Sequence, residues 1–417
     1  MVGLPGELVD SVIDQLKTDK LALSACSLVS TQWLPRSRSY RFSSIGLSVD
    51  PKYQKEPERV HAFLSLISSP LVTFVPFVRK VHLVHLRELR NKGAQVISPD
   101  RILTHLETCG IRPTYLFLNS VQHVMRPFAG RPVFASSLVH LHLEIHNHHI
   151  ILRSVIDYIC AYPLLECVTI KGMPKMITPT KPMSRALPPR LHTMHAGHPL
   201  VADWILTLDP VPKQIMTLGL VGFGLEDRWP IINAYLSSTA AVNITSLIFD
   251  DSIPEYGIGP DLHHLRCIKH LTVSSSYTRT PRDLLAVLKR LQMSPAAQRL
   301  ETITLLLGFR EETFYGFKAN PDWLAVDRVL ANTTLWPRLR RITGTTEDDT
   351  DDGDRKFYHS LEDSLGLLAF DLHLKFPITS ALQKDLSQCH NRGILEINLP
   401  VVEPHPPINQ QLAANRC

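Results

Sequence analysis

The sequence has few of the features that mark disulfide-built secreted domains, membrane proteins or common enzyme classes. Its seven cysteines, Cys26, Cys109, Cys160, Cys167, Cys267, Cys389 and Cys417, are odd in number and dispersed, with no Cys-x-x-Cys pair. That excludes a disulfide framework and a zinc ribbon and points to a reducing compartment, cytoplasmic or nuclear. No apolar run is long enough to cross a bilayer, and the first residues lack a basic segment followed by an apolar one, so no membrane partner and no signal peptide are expected. Excess charge of one sign is missing too. The 44 Lys and Arg residues nearly balance 39 Asp and Glu, which leaves a net +5 over 417 residues. A nucleic-acid binder gathers basic residues into a patch, whereas the densest cluster here is Arg338-Leu339-Arg340-Arg341, so no nucleic-acid partner is expected.

Catalytic signatures are absent as well: no Gly-x-Ser-x-Gly, His-Glu-x-x-His, P-loop or kinase pattern occurs. Gly222-Phe223-Gly224 lacks the third glycine of a dinucleotide fingerprint and reads as a turn. The acidic stretch Glu347 to Asp354 offers Gly353 at the sixth place of a calcium loop that starts at Asp348. Its twelfth place is His359, where such a loop needs Glu, so a solvated loop is expected. No cofactor and no metal follow from these patterns.

What the chain does have is repetition. A six-residue pattern, apolar-x-x-apolar-x-apolar, is clearest at Leu138, Leu141 and Leu143. Other copies begin at Phe42, Val78, Leu165, Leu191, Ile215, Ile244, Ile268, Leu300 and Ile394, and degraded ones hold Leu116/Leu118 and Leu339/Ile342. The fourth positions Leu141, Val168, Met194, Leu218, Leu247 and Leu271 are 27, 26, 24, 29 and 24 residues apart, a spacing typical of leucine-rich repeats. The outer steps are longer, 36 from Ile45 to Val81 and 32 from Leu271 to Ile303. Alternation inside each copy suits a half-buried strand. Helix starts fall between copies, at Ser98-Pro99-Asp100, Thr280-Pro281-Arg282-Asp283 and Asn320-Pro321-Asp322, and a helical pattern runs from Ile151 to Tyr162. Strand then helix, repeated, predicts a parallel sheet with helices on its outer side, curved into a solenoid.

The first 47 residues differ. Leu8, Val12, Ile13 and Leu16 recur at helical spacing behind Pro5, and Asp19 offers the N-cap of a second helix bearing Leu21, Leu23, Cys26, Leu28 and Val29. A third segment carries Trp33, Leu34 and Tyr40. About 40 residues bury too little surface to hide so many apolar side chains among themselves, so part of this face must meet something else.

Leu4-Pro5-x-Glu7-Leu8, Ile13, Leu16, Asp19 and Leu28-Val29-x-x-x-Trp33 resemble the F-box, the helical module that docks on a Skp-type adaptor in Skp–cullin–F-box ubiquitin ligases. The repeats resemble the irregular leucine-rich repeats that commonly follow an F-box, including those of the expanded families of mushroom-forming fungi. The ending Cys389-His390-Asn391-Arg392-Gly393-Ile394-Leu395 is similar to theirs. The resemblance implies an α/β chain: a short all-α F-box at residues 1–47 and an irregular leucine-rich-repeat-like solenoid at 61–400 with its parallel sheet on the concave face. Between them the polar stretch Asp50 to Glu58, with Pro51 and Pro57, reads as a linker or loop within 48–60, and residues 401–417, with Pro404, Pro406 and Pro407, read as a disordered tail. The resemblance further implies a non-catalytic substrate receptor with no cofactor, bound to a Skp-type adaptor and through it to a cullin. Leu4, Pro5, Glu7, Leu8, Ile13, Leu16, Val29 and Trp33 would then form the adaptor contact or its packing. A protein target would meet the strand face away from the helices, where the alternation puts His82, His140, His142, Glu144, Lys171, His195, Asp250 and His270. The crowd of His140, His142, His146, His148 and His149 reads as polar strand and turn residues of that face rather than as a zinc site.

Overall fold

The computed structural model describes residues 5–48, 56–84, 99–119, 132–145, 152–172, 186–196, 204–206, 208, 211–221, 229–250, 261–276, 280–308, 321–346 and 382–398. It is an α/β structure that divides into two compact units, residues 1–222 and 223–417.

The first unit opens with three helices, α1 (Gly6–Gln15), α2 (Lys20–Val29) and α3 (Leu34–Arg41). Pro5 sits at the N-cap of α1, where its missing N–H leaves nothing unpaired, and its carbonyl accepts from Leu8 and Val9. Asp19 caps α2 as the sequence suggests, its carboxylate accepting from the amides of Leu21 and Ala22 at 2.9 Å each. Val9, Ile13 and Leu23 form the small core of this head, with Leu16, Trp33 and Tyr40 packed against it. Asp14 ties α1 to α3. Its two oxygens accept from Arg36 Nε and Nη2 at 2.8 Å, and one also accepts from Tyr40 Oη at 2.9 Å. The Arg36 hydrogen bonds, then that of Tyr40, hold the Asp14 carboxyl below the usual range.

Seven parallel strands follow in chain order: β1 (Ser44–Ser48), β2 (Lys80–Val84), β3 (Tyr115–Asn119), β4 (His140–Ile145), β5 (Cys167–Gly172), β6 (Thr193–Ala196) and β7 (Thr217–Val221). Between them lie α4 (Glu56–Ile67), α5 (Pro99–Thr108) and α6 (Leu152–Cys160). The segment expected as a linker is thus partly structured, because β1 continues to Ser48 and α4 starts at Glu56.

Register aligns the apolar positions into two rows. Ile45, Val81, Leu116, Leu141, Val168, Met194 and Leu218 form one, and Leu47, Leu83, Leu118, Leu143, Ile170, Ala196 and Leu220 the other. Most of these side chains are buried almost completely, and each such burial contributes roughly 1.5–3 kcal/mol. The strands share one way in. The carbonyl of Ser43 accepts from both Arg79 and Lys80, that of Arg79 from Thr114 and Tyr115, and that of Thr114 from Val139 and His140. Val139, Glu166 and His192 repeat the arrangement. Unequal intervals therefore return the chain to the same backbone hand-off each time.

The second unit repeats the scheme with β8 (Ser246–Asp250), β9 (His270–Ser276), β10 (Thr302–Gly308), β11 (Arg341–Thr346) and β12 (Leu395–Asn398), all parallel. Among its described helices are α7 (Trp229–Ser237), α8 (Thr280–Gln292), α9 (Pro321–Leu330) and α10 (Ser387–Asn391). Trp323 and Trp336 are fully buried in it. The ending Cys389 to Leu395 proves to be a clamp. Asp327, on α9, is buried and accepts from the amides of Gln388 at 2.9 Å and Cys389 at 3.0 Å. Arg392 donates to the carbonyls of Leu330 and Ala331, and Gly393 turns into β12 at φ +68°, a backbone angle that favours glycine. Burial, then the neighbouring Asp327, pushes the Cys389 thiol up, so it stays a protonated core group.

Candidate functional site

Two surfaces stand out, one on the helical head and one on the strand face of the first unit. On the head the apolar residues of α2 run right round the helix. Leu23 and Cys26 face inward to the core, while Leu21, Ala25, Leu28 and Val29 occupy the opposite arc. Leu28 is 86% exposed, Leu21 84% and Val29 64%. On α1, Val9 and Ile13 take the inward arc and leave Leu8 (54%) and Val12 (45%) in solvent. Surface leucines scattered singly are ordinary, but five large apolar side chains on two short helices make a concentration that calls for a covering surface.

The adaptor contacts expected from the sequence divide accordingly. Pro5, Glu7, Leu8 and Val29 are exposed, Leu16 and Trp33 are half-buried, and Ile13 is sealed in the core of the head. Ile13 is therefore closed to any surface contact and packs the three helices together from inside. Leu4 lies outside the described residues. Val12, Leu21 and Leu28 complete the exposed set. The signal for them was in the sequence, because a helix apolar on two opposite arcs needs two neighbours.

The strand face is less open than alternation alone suggests. Register places Gly46, His82, Phe117, His142, Thr169, His195 and Gly219 in one row. The rings shield one another: His82 lies 5.5 Å from Tyr115 and 5.8 Å from Phe117, and Phe117 meets His142 edge-on at 4.7 Å. His82 and His142 are consequently buried, at 5% and 7% exposure. Burial, with Lys80 nearby, lowers the His82 pKa to about 4, so the ring is neutral at physiological pH. Around His142, the Tyr115 hydroxyl stands 3.4 Å from Nδ1 and a Glu144 oxygen 3.9 Å from Nε2, and Asn119 donates to the other Glu144 oxygen at 2.7 Å. His195 rests directly on β7. A Cβ added at Gly219 would stand 2.9 Å from its Cγ, so the missing side chain is what admits the ring.

The eight residues expected on a target-binding face do not form one open surface. His82 and His142 are buried, Glu144, Lys171 and His195 are half-buried, and His140 and His270 are exposed. The side chain of Asp250 lies outside the described set, as do His146, His148 and His149. His270 belongs to the second unit, where its Nδ1 lies 2.8 Å from the Thr302 hydroxyl.

No protein-family model and no curated protein sequence matches the chain. The functional reading therefore rests on these residues. Among the described residues no three His, Cys, Asp or Glu side chains are grouped to hold a metal ion, and no helix is long and apolar enough to cross a membrane. Ser68 Oγ lies 2.9 Å from His105 Nε2, a spacing that suits a nucleophile and its base. Both groups also sit within hydrogen-bond distance of the Leu64 carbonyl, at 2.8 Å and 3.1 Å, and so finish the last turn of α4.

Proposed function

We propose that this chain is the substrate-recognition subunit of a Skp–cullin–F-box ubiquitin ligase and does no chemistry itself. In this reading the N-terminal head docks on a Skp-type adaptor, and the repeat units hold a protein target near the conjugating enzyme. The mechanism is proximity: tethering raises the effective concentration of target lysines. One observation carries the reading. The head keeps a core of its own, Val9, Ile13 and Leu23, and still leaves Leu8, Val12, Leu21, Leu28 and Val29 in solvent. These residues stand on the helices whose sequence resembles the F-box.

The test is co-purification of the full chain with a Skp-type adaptor and size-exclusion chromatography of the mixture. The wild type should co-elute with it, and Leu21→Glu/Leu28→Glu should not. Both leucines are exposed, so the double variant should keep its fold, within roughly 0.5 kcal/mol per site. Wild-type protein that ignores the adaptor would leave the other reading, a repeat scaffold whose N-terminal helices only cap the sheet. The direct run of α3 into β1 suits that arrangement as well.

A further inference from the structure

The head is not hung on a flexible tether. Both α1 and α2 pack on α3, and α3 packs on the turn formed by Val75–Phe77. Only Phe42 and Ser43 separate the last residue of α3 from the first residue of β1. Three phenyl rings from three segments meet beneath this joint. Phe42, from the end of α3, stacks on Phe74 with centroids 4.9 Å apart and planes at 23°, and Phe74 stacks on Phe63 of α4 at 6.5 Å and 29°. The Arg41 guanidinium lies 5.4 Å above the Phe42 ring, and Arg38 donates to the Thr73 hydroxyl at 2.6 Å. Helix α4 in turn packs on β1. Stacked rings have a preferred offset and angle, so three of them shared by the head and the first repeat resist both sliding and rotation.

We infer that Phe42, Phe63 and Phe74 form a positioning joint that holds the head in one orientation relative to the strands of the first unit. The joint is a property of the fold, and only its purpose rests on the receptor reading. Proximity raises the local concentration of a target only when the span between the two binding faces is held near one length, and a swivelling head would dilute that gain.

The experiment is pulsed EPR on the full-length protein, with spin labels on unnatural amino acids at the exposed positions Gln15 (α1) and Thr104 (α5). The wild type should give one narrow distance. Phe74→Ala should lose it to a broad distribution, and Phe74→Leu, which keeps apolar volume without the stack, should fall between them. Far-UV circular dichroism checks that the variants are folded, and if Phe74→Ala is not, Phe74→Leu carries the test alone. A wild type that is already broad, or folded variants as narrow as the wild type, overturns the joint. Adaptor binding is scored separately: a narrow distance in a protein that ignores the adaptor keeps the joint and removes the receptor reading.

Discussion

His82 should make the first unit sensitive to acid in a way that can be calculated in advance. Its ring is 5% exposed, and its pKa lies at about 4 against 6.5 for an exposed imidazole. The folded value is the lower one, so the contribution of the neutral ring is whole above pH 6.5. It is lost as pH falls from 6.5 towards 4, because the unfolded chain takes up the proton first. At 1.36 kcal/mol per pH unit the total loss is about 3 kcal/mol, and about 2 kcal/mol of it should appear between pH 7.5 and pH 5. The chain carries 20 histidines, so the comparison must be with His82→Phe, whose ring continues the Tyr115 and Phe117 stack without a proton to gain. Urea denaturation of both proteins at the two pH values isolates the difference. NMR of the imidazole Cε1–H should place the His82 midpoint near 4. Because burial is the larger cause and Lys80 the smaller, Lys80→Gln should raise that midpoint only slightly. Parallel pH profiles for wild type and variant, or a midpoint at 6 or above, would refute the argument.

Removing the Asp327 carboxylate leaves two amides without their acceptor at the start of α10, so Asp327→Ala should destabilise the second unit by about 2 kcal/mol and speed hydrogen exchange across residues 382–398. Gly219→Ala drives a methyl group into the His195 ring and should be destabilising by roughly 1–3 kcal/mol, with His195→Ala restoring most of the loss in a double-mutant cycle. Ile13→Ala, in the core of the head, should destabilise the protein by about 3 kcal/mol as measured by chemical denaturation.

The strands were the most legible part of the sequence. Each copy of the six-residue pattern coincides with one of β1 to β12, because a strand buried on one side has a period of two that few other arrangements imitate. The cap at Asp19 was equally plain, since its signal is local. Helix α7 was not: Trp229-Pro230-Ile231-Ile232 is an unbroken apolar run without helical periodicity. Helix α4 hid behind Pro51 and Pro57, which read as loop residues, although proline is tolerated in a first turn. The burial of His82 and His142 was invisible for a different reason. It depends on Phe117 landing between them, which is a matter of register among strands tens of residues apart. On the head, spacing put Leu8, Val12, Ile13 and Leu16 on one stripe. The bundle covers only the arc centred on Val9 and Ile13, because the apolar sector of α1 is wider than its two neighbours can reach.

The Asp327 clamp has a consequence for how this chain tolerates change. β12 pairs directly with β11, while α10 is pinned to α9 by Asp327 and Arg392 is anchored on the end of α9, so the last strand is held both through its own ladder and through the helix before it. A substitution that weakens one of these attachments leaves the other in place, which guards this end of the second unit against fraying.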